Sequence, residues 1–274
     1  MGYSKILKSI FWFWLKVARQ KSLNESSISR NNVNVAQSTL EKLVVEMDRD
    51  VLLLDFFQST FVGNQNMSSS RLLTDRVAHY FLGSERIFID IGAWDPIRHS
   101  ETYWLEKFHG WRGVLIEPNP RYADKLRKVR SSKIIEAAVI SKALAGKDFF
   151  LQDKDDQSYV TENQSKFPIT TVTLKQVFQE FEARPNALFI DIEGMEFSIL
   201  EDLKVYLQEL SFVSIETIFQ HAEISAVMLE AGFKEIWNSL SGYNSWFISQ
   251  ELLNHKYQQV TGVPESTYPI FGLV

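Results

Sequence analysis

From Gly83 onward, short runs rich in β-branched and aromatic residues alternate with stretches whose apolar positions recur every three or four residues. The runs 86–91, 113–117, 133–139, 187–192 and 212–216 read as strands. The stretches 103–108, 121–129, 174–181, 197–210 and 222–231 read as helices between them. Strand–helix alternation over this length predicts an α/β domain, a mostly parallel sheet with helices on both faces. Two further runs, 233–237 and 245–249, flank the turn-rich Leu240–Asn244 and predict a closing hairpin at the sheet edge. Upstream, Leu43, Val44, Met47, Val51, Leu54 and Phe57 suit an amphipathic helix within 40–61. Residues 63–70 read as a loop and 71–81 as a second helix. Residues 20–38, rich in Ser and Asn without apolar periodicity, read as a linker. The expected organisation is a helical N-terminal region (1–82), one α/β domain (83–250) and a C-terminal tail (251–274). No internal repeat is visible.

The 274 residues are 45% hydrophobic and 23% charged, an ordinary globular balance with enough chain for a full core. There is no cysteine, which removes disulfides, thiolate metal sites and cysteine nucleophiles and suits a cytoplasmic setting. The longest apolar run, Ile10–Leu15, falls far short of the ~20 residues that span a bilayer. Charge is uneven. Residues 1–30 hold Lys5, Lys8, Lys16, Arg19, Lys21 and Arg30 against Glu25 alone, so the rest of a chain with net charge −5 is strongly acidic. An acidic body gives no attraction for a nucleic-acid backbone. On a helix, Lys5, Lys8, Lys16 and Arg19 form one stripe beside Ile6, Leu7, Ile10, Phe11, Phe13 and Trp14. That pattern fits a helix lying at a membrane surface, a helix docked on its own domain, or a targeting segment.

Candidate chemistry sits at the strand ends. Ile89-Asp90-Ile91-Gly92-Ala93-Trp94-Asp95 puts a carboxylate at a strand end before a tight Gly-Ala turn, and Val114-Leu115-Ile116-Glu117-Pro118 ends the next strand in a second acid. That spacing matches one β-α-β unit whose second acid accepts hydrogen bonds from ribose hydroxyls. A dinucleotide site wants a triple-glycine turn for pyrophosphate. Here the stretch holds one glycine between two carboxylates, Asp90 and Asp95, which repel pyrophosphate and suit a sulfonium, an α-amino group and ribose, and so favour S-adenosylmethionine over NAD. A third cluster, Asp191-Ile192-Glu193-Gly194-Met195-Glu196, follows the strand at 187–192. Asp191 and Glu193 there are candidates for orienting an acceptor and removing its proton, and Glu196 for orienting a partner or simply for the first turn of a helix. His99 and His221 are further candidate bases, each also readable as a surface histidine. No ligand spacing with histidine supports a metal.

Together Asp90–Asp95, His99-Ser-Glu-Thr-Tyr-Trp-Leu-Glu-Lys107, Gly110-Trp-Arg-Gly-Val-Leu-Ile-Glu-Pro-Asn-Pro120 and Asp191–Glu196 resemble the FkbM family of S-adenosylmethionine-dependent methyltransferases over about 86–250. The resemblance implies a Rossmann-like class I methyltransferase fold with a seven-stranded sheet. It also implies O-methylation of sugar or natural-product hydroxyls. By that likeness Asp90, Gly92 and Ala93 line the donor, Glu117 holds its ribose, and Ala137 and Ala138 lie near the adenine. Trp94, Asp95, Pro118 and Asn119, in the same motifs, complete the candidate donor-binding set; Asp191, Glu193 and His99 form the candidate catalytic set. Two positions depart from the family pattern: Pro96 where a glycine is usual, and Glu101 where asparagine is frequent, which is expected to add a negative charge beside the donor. A nucleotide-dependent oxidoreductase and a non-catalytic donor-binding module are the alternatives. The expected partners are a small-molecule or glycan acceptor, with a peripheral membrane contact through residues 5–19.

Overall fold

In the computed structural model, the described residues are 50–61, 68–70, 72–155, 158–163 and 167–262. The basic aromatic stretch at 5–19, the linker at 20–38 and most of the loop at 63–70 lie outside them, as does the first half of the helix expected at 40–61. Its second half forms α1 (Val51–Phe61). Residues 68–252 form one compact unit, which begins before the boundary expected at 83 and takes in α2 (Thr74–Leu82).

Within that unit the α/β alternation is present. The strands β1 (Ile87–Ile91), β2 (Arg112–Ile116), β3 (Lys133–Ile135), β9 (Ala187–Ile190), β10 (Phe212–Glu216), β11 (Phe233–Ile236) and β12 (Asn244–Ser249) build a seven-stranded sheet. Its order is β11-β12-β10-β9-β1-β2-β3. The five strands from β10 to β3 run parallel, while β12 is antiparallel to both of its neighbours. This is the Rossmann-like class I methyltransferase arrangement. The expected terminal hairpin is present as the β11–β12 pair, but β12 inserts between β10 and β11, and a short helix, Asn238–Ser241, occupies part of the connection.

Strand alternation explains the two faces. Ile89, Ile91, Val114, Ile116, Leu188, Ile190, Val213 and Ile215 point to one side and pack with Leu174, Val177, Ile199, Leu200, Leu203, Ile224 and Met228. Those helical residues come from Leu174–Phe178, Glu196–Leu203 and His221–Glu230. The intervening strand positions, Phe88, Asp90, Leu115, Phe189, Phe212 and Ser214, face the other way and are equally buried. On that side α2 and the helix α3 (Tyr103–His109) bury Val77, Ala78, Trp104 and Leu105. Trp246 Nε1 donates to Thr74 Oγ1 at 3.1 Å, which ties β12 to α2.

One expected strand divides. Instead of a single run at 133–139, β3 stops at Ile135, where the Ala137 N–H bonds back to the Ile135 carbonyl at 3.1 Å. The chain then leaves the main sheet as β4 (Ala138–Ile140), paired in parallel with β8 (Thr171–Thr173). Between them β5 (Phe149–Gln152), β6 (Tyr159–Thr161) and β7 (Pro168–Ile169) form a small antiparallel sheet. The helix expected at 197–210 ends at Leu203, and a 3₁₀ turn covers Leu207–Glu209. The residues expected as a tail begin as a helix, Gln250–Thr261. Among the described residues, no helix is long and apolar enough to cross a membrane.

Candidate active site

Parallel pairing brings the carboxyl ends of β2, β1 and β9 side by side. Ile91 is in register with Ile116 and with Ile190, so Gly92, Glu117 and Asp191 emerge together. Gly92 has φ 87°, and its N–H and that of Ala93 both bond to the Ile116 carbonyl, at 2.9 and 3.1 Å. A cleft of about 1350 Å³, counting its open mouth, lies over these tips. Its lining takes in Asp90, Gly92, Ala93, Trp94 and His99 from β1 and its loop. Glu117 and Pro118 follow β2, Ala137 and Ala138 lie at the break after β3, and Asp191 and Glu193 follow β9. Residues singled out from four separate motifs therefore line one cleft.

Two of the expected donor-binding residues stand apart from that lining. Asp95 turns back on its own loop, where Oδ1 accepts the N–H groups of Ile97 and Arg98 at 3.1 and 2.8 Å. The Asn119 side chain caps the helix Pro120–Val129 by accepting from Arg121 N at 3.1 Å. Its backbone N–H, however, donates to Glu117 Oε1 at 2.7 Å. Trp94 N donates to the other oxygen, Glu117 Oε2, at 2.9 Å. Glu117 is 6% exposed, and burial pushes its carboxyl up to about 7 despite those two donors.

Asp90 is also buried. Its Oδ2 accepts from Thr102 Oγ1 at 2.6 Å, and burial raises its pKa against the lowering effects of Thr102 and Arg130. Glu101 stands where the family pattern often has asparagine. It lines the cleft, and Asn244 Nδ2 donates to its Oε1 at 2.5 Å. Burial first, then the neighbouring Asp191 and Asp90 carboxylates, hold it well above the ordinary carboxylate range. At the other departure, Pro96, the backbone carbonyl accepts from Arg130 Nη1 at 3.5 Å.

At the other wall, Glu193 has φ 55° and precedes Gly194 at φ 100°, a tight turn that places Glu193 on the cleft. Glu196 is buried beneath that turn, where its carboxylate accepts the N–H groups of Ile192 and Gly194 at 3.0 Å each. The first-turn acid is thus a loop brace. His99 has φ 60° and its ring stacks on Trp94, centroids 6.0 Å apart. His221 pairs with Glu235, Nε2 to Oε1 2.8 Å, and is absent from the cleft lining.

Sequence reading missed several lining residues. Glu216 ends β10 as Glu117 ends β2, the same strand-tip signal. Asp191, Glu193 and Glu216 each offer a carboxylate oxygen, all within 4.8 Å of one another, close enough to converge on one cation. Tyr243 and Asn244 reach the cleft only because β12 inserts beside β10. Asp155 and Ser158 come from the loop between β5 and β6, an acidic stretch that reads from sequence as a solvated loop or an overhang at the acceptor. No lysine or arginine lines the cleft among the described residues.

A family model described as the methyltransferase FkbM domain matches residues 90–244, from one cleft-lining residue to another. No curated protein matches the chain. Solved structures with some likeness include the methyltransferase FkbM from Methylobacillus flagellatus KT, 12% identical, with TM-score 0.39 over 86% of this chain and 57% of that one. The precorrin-6y C5,15-methyltransferase from Geobacter metallireducens GS-15 is 16% identical, with TM-score 0.35 over 62% of this chain and 77% of that one. The N-terminal domain of human METTL16 in complex with SAH is 12% identical, with TM-score 0.39 over 68% of this chain and 72% of that one. The match covers more than half of the sequence, so the chain belongs to the FkbM methyltransferase family.

Proposed function

We propose that this methyltransferase uses S-adenosylmethionine to methylate a hydroxyl of a sugar, glycan or natural-product acceptor. The observation that carries the reading is the charge of the cleft: acids at the tips of neighbouring parallel strands, with no lysine or arginine among its described lining. Such a wall suits a cationic donor and its ribose, and disfavours a pyrophosphate. Glu117, fixed by two backbone donors, has its carboxylate committed to the ribose position. Asp90 supplies negative charge for the donor's ammonium, and Ala137 and Ala138 leave room for a flat base.

When bound, the donor supplies an electrophilic methyl group on a positively charged sulfur. The chain's own residues then have three tasks. Trp94 and His99, stacked together, wall the methionine end against water. Asp191 orients the acceptor hydroxyl, and Glu193 accepts its proton as oxygen takes the methyl group. Asn244 and the half-exposed Tyr243 add a polar and an aromatic surface at the acceptor side, the pairing that polyhydroxylated rings favour. A peripheral membrane contact through residues 5–19 would bring such a protein to acceptors assembled on a membrane.

The test is transfer of labelled methyl from S-adenosylmethionine to glycan, lipid and small-metabolite fractions, with and without chelator. Label in a base-stable ether on an acceptor hydroxyl supports the reading; label on nitrogen or carbon overturns the O-methyl assignment. Glu117→Ala should weaken S-adenosylhomocysteine binding at least tenfold by calorimetry. Unchanged affinity removes the ribose assignment.

A further inference from the structure

Beneath the donor wall lies a chain of hydrogen bonds whose direction is fixed by chemistry. Arg130, the residue that ends the helix Pro120–Val129, has a side chain with no exposure to solvent. Its guanidinium pairs with Glu106 of α3, Nε and Nη2 both lying near Oε2 at 3.0 and 2.9 Å. Nη2 also donates to Thr102 Oγ1 at 2.9 Å, and Nη1 to Ser100 Oγ at 3.2 Å. A guanidinium only donates. Thr102 Oγ1 therefore accepts from Arg130, and its single hydrogen is left for Asp90 Oδ2, 2.6 Å away.

We infer that Arg130 is a positioning residue of the donor site: through Thr102 it holds the Asp90 carboxylate in one orientation and clamps the loop that runs from Gly92 to Thr102. The inference rests on the reading of Asp90 as a donor-binding group. Glu106 is what lets a guanidinium stay buried there. It is itself anchored by Ser131 N–H, Ser131 Oγ and Ser132 Oγ at 2.6, 2.8 and 2.8 Å. An unpaired buried arginine would be costly, so the pair is a prerequisite for the relay rather than an addition to it. The arrangement also accommodates Pro96, whose carbonyl turns inward to the same guanidinium. Neither Arg130 nor Thr102 lines the cleft itself; Thr102 reaches it through Asp90, and Arg130 through Thr102 and Ser100.

The experiment measures S-adenosylhomocysteine affinity by calorimetry on the 274-residue chain and on Thr102→Val, Thr102→Ser, Arg130→Lys and Asp90→Asn, each from pH 5 to 8. Valine keeps the shape of Thr102 and removes the hydroxyl; serine restores it. A hydrogen bond to a charged group commonly carries about tenfold in affinity, so Thr102→Val should bind about tenfold more weakly, with Thr102→Ser within about twofold of the parent. The pH below which binding is lost should rise in Thr102→Val, because the carboxylate loses the donor that favours its ionised form. The other charged groups facing Asp90, namely Arg130, Glu106, Glu101 and Glu117, are unchanged in that variant, so the difference between profiles belongs to Asp90. If Thr102→Val does not fold, Arg130→Lys carries the test, since one ammonium cannot serve Glu106, Ser100 and Thr102 together; its affinity should fall in the same way. Parent-like affinity and pH profile in Thr102→Val, or an equal loss in Thr102→Ser, overturns the relay while a weakened Asp90→Asn leaves the donor site standing. Parent-like binding in Asp90→Asn overturns the donor reading itself, and the relay with it.

Discussion

At Gly92 an added Cβ would lie 1.8 Å from the carbonyl oxygen of Asp191, on a backbone whose φ of 87° already disfavours any side chain. Gly92→Ala should therefore cost about 3 kcal/mol or more, read as a shift in urea unfolding; a stability within 1 kcal/mol of the parent contradicts this account of the crossing. Gly113 meets the same limit in β2, where a Cβ would come 2.1 Å from the Phe88 carbonyl oxygen. Glu117 makes a different prediction. Its carboxyl titrates near 7 in the folded protein and near 4.5 in an unfolded chain. Between those values the folded state keeps a proton that the unfolded state has released, so this group makes stability fall as pH rises from about 4.5 to 7. Glu117→Gln should flatten that decline by on the order of 3 kcal/mol, checked by urea unfolding at pH 5 and pH 7.5. Equal slopes in parent and variant remove the claim.

Among the elements, the helix Pro120–Val129 shows how a motif residue can serve a site without facing it. Asn119 caps that helix with its side chain, proline follows at the first helical position, and the Asn119 N–H fixes Glu117. Asn119→Ala should lower stability by about 1 kcal/mol and leave S-adenosylhomocysteine affinity within about twofold, because the backbone donor remains. A large loss of affinity with unchanged stability would assign the side chain itself to the donor. The division of the strand expected at 133–139 belongs to this scale too. Nothing in Lys133–Ile140 is a strand breaker. The chain turns because Ala137 bonds to Ile135 and Ala138–Ile140 finds a parallel partner in β8, a pairing across more than thirty residues.

Across the whole molecule, charge separates the donor from competing nucleotides. A cleft with several acids and no lysine or arginine in its described lining should not take up NAD or NADH, whose pyrophosphate needs backbone donors or cations. Millimolar NAD(H) is expected to leave S-adenosylhomocysteine binding unchanged in a competition titration, and displacement would require a phosphate-binding surface outside the lining described above. The same acidity at Asp191, Glu193 and Glu216 bears on the acceptor side, where the chelator arm of the transfer assay reports whether a cation takes part.

The sequence by itself determined the alternation of strands and helices, the acidic strand ends at Asp90, Glu117 and Asp191, and the glycine turn between them, because these follow from periodicity and local backbone demands. Its motif order also carried the likeness to the FkbM family that the matched domain bears out. Tertiary structure alone decided the rest. Glu196 became a brace rather than a cleft residue, and the Glu101 carboxyl was pushed well above the ordinary range, because hydrogen-bond partners and burial come from packing. Tyr243 and Asn244 reached the cleft through the insertion of β12 beside β10. The Arg130–Thr102–Asp90 chain spans forty residues and three elements. Pairings at that separation leave no local pattern, since the free energy that selects them comes from long-range contacts formed only in the folded chain.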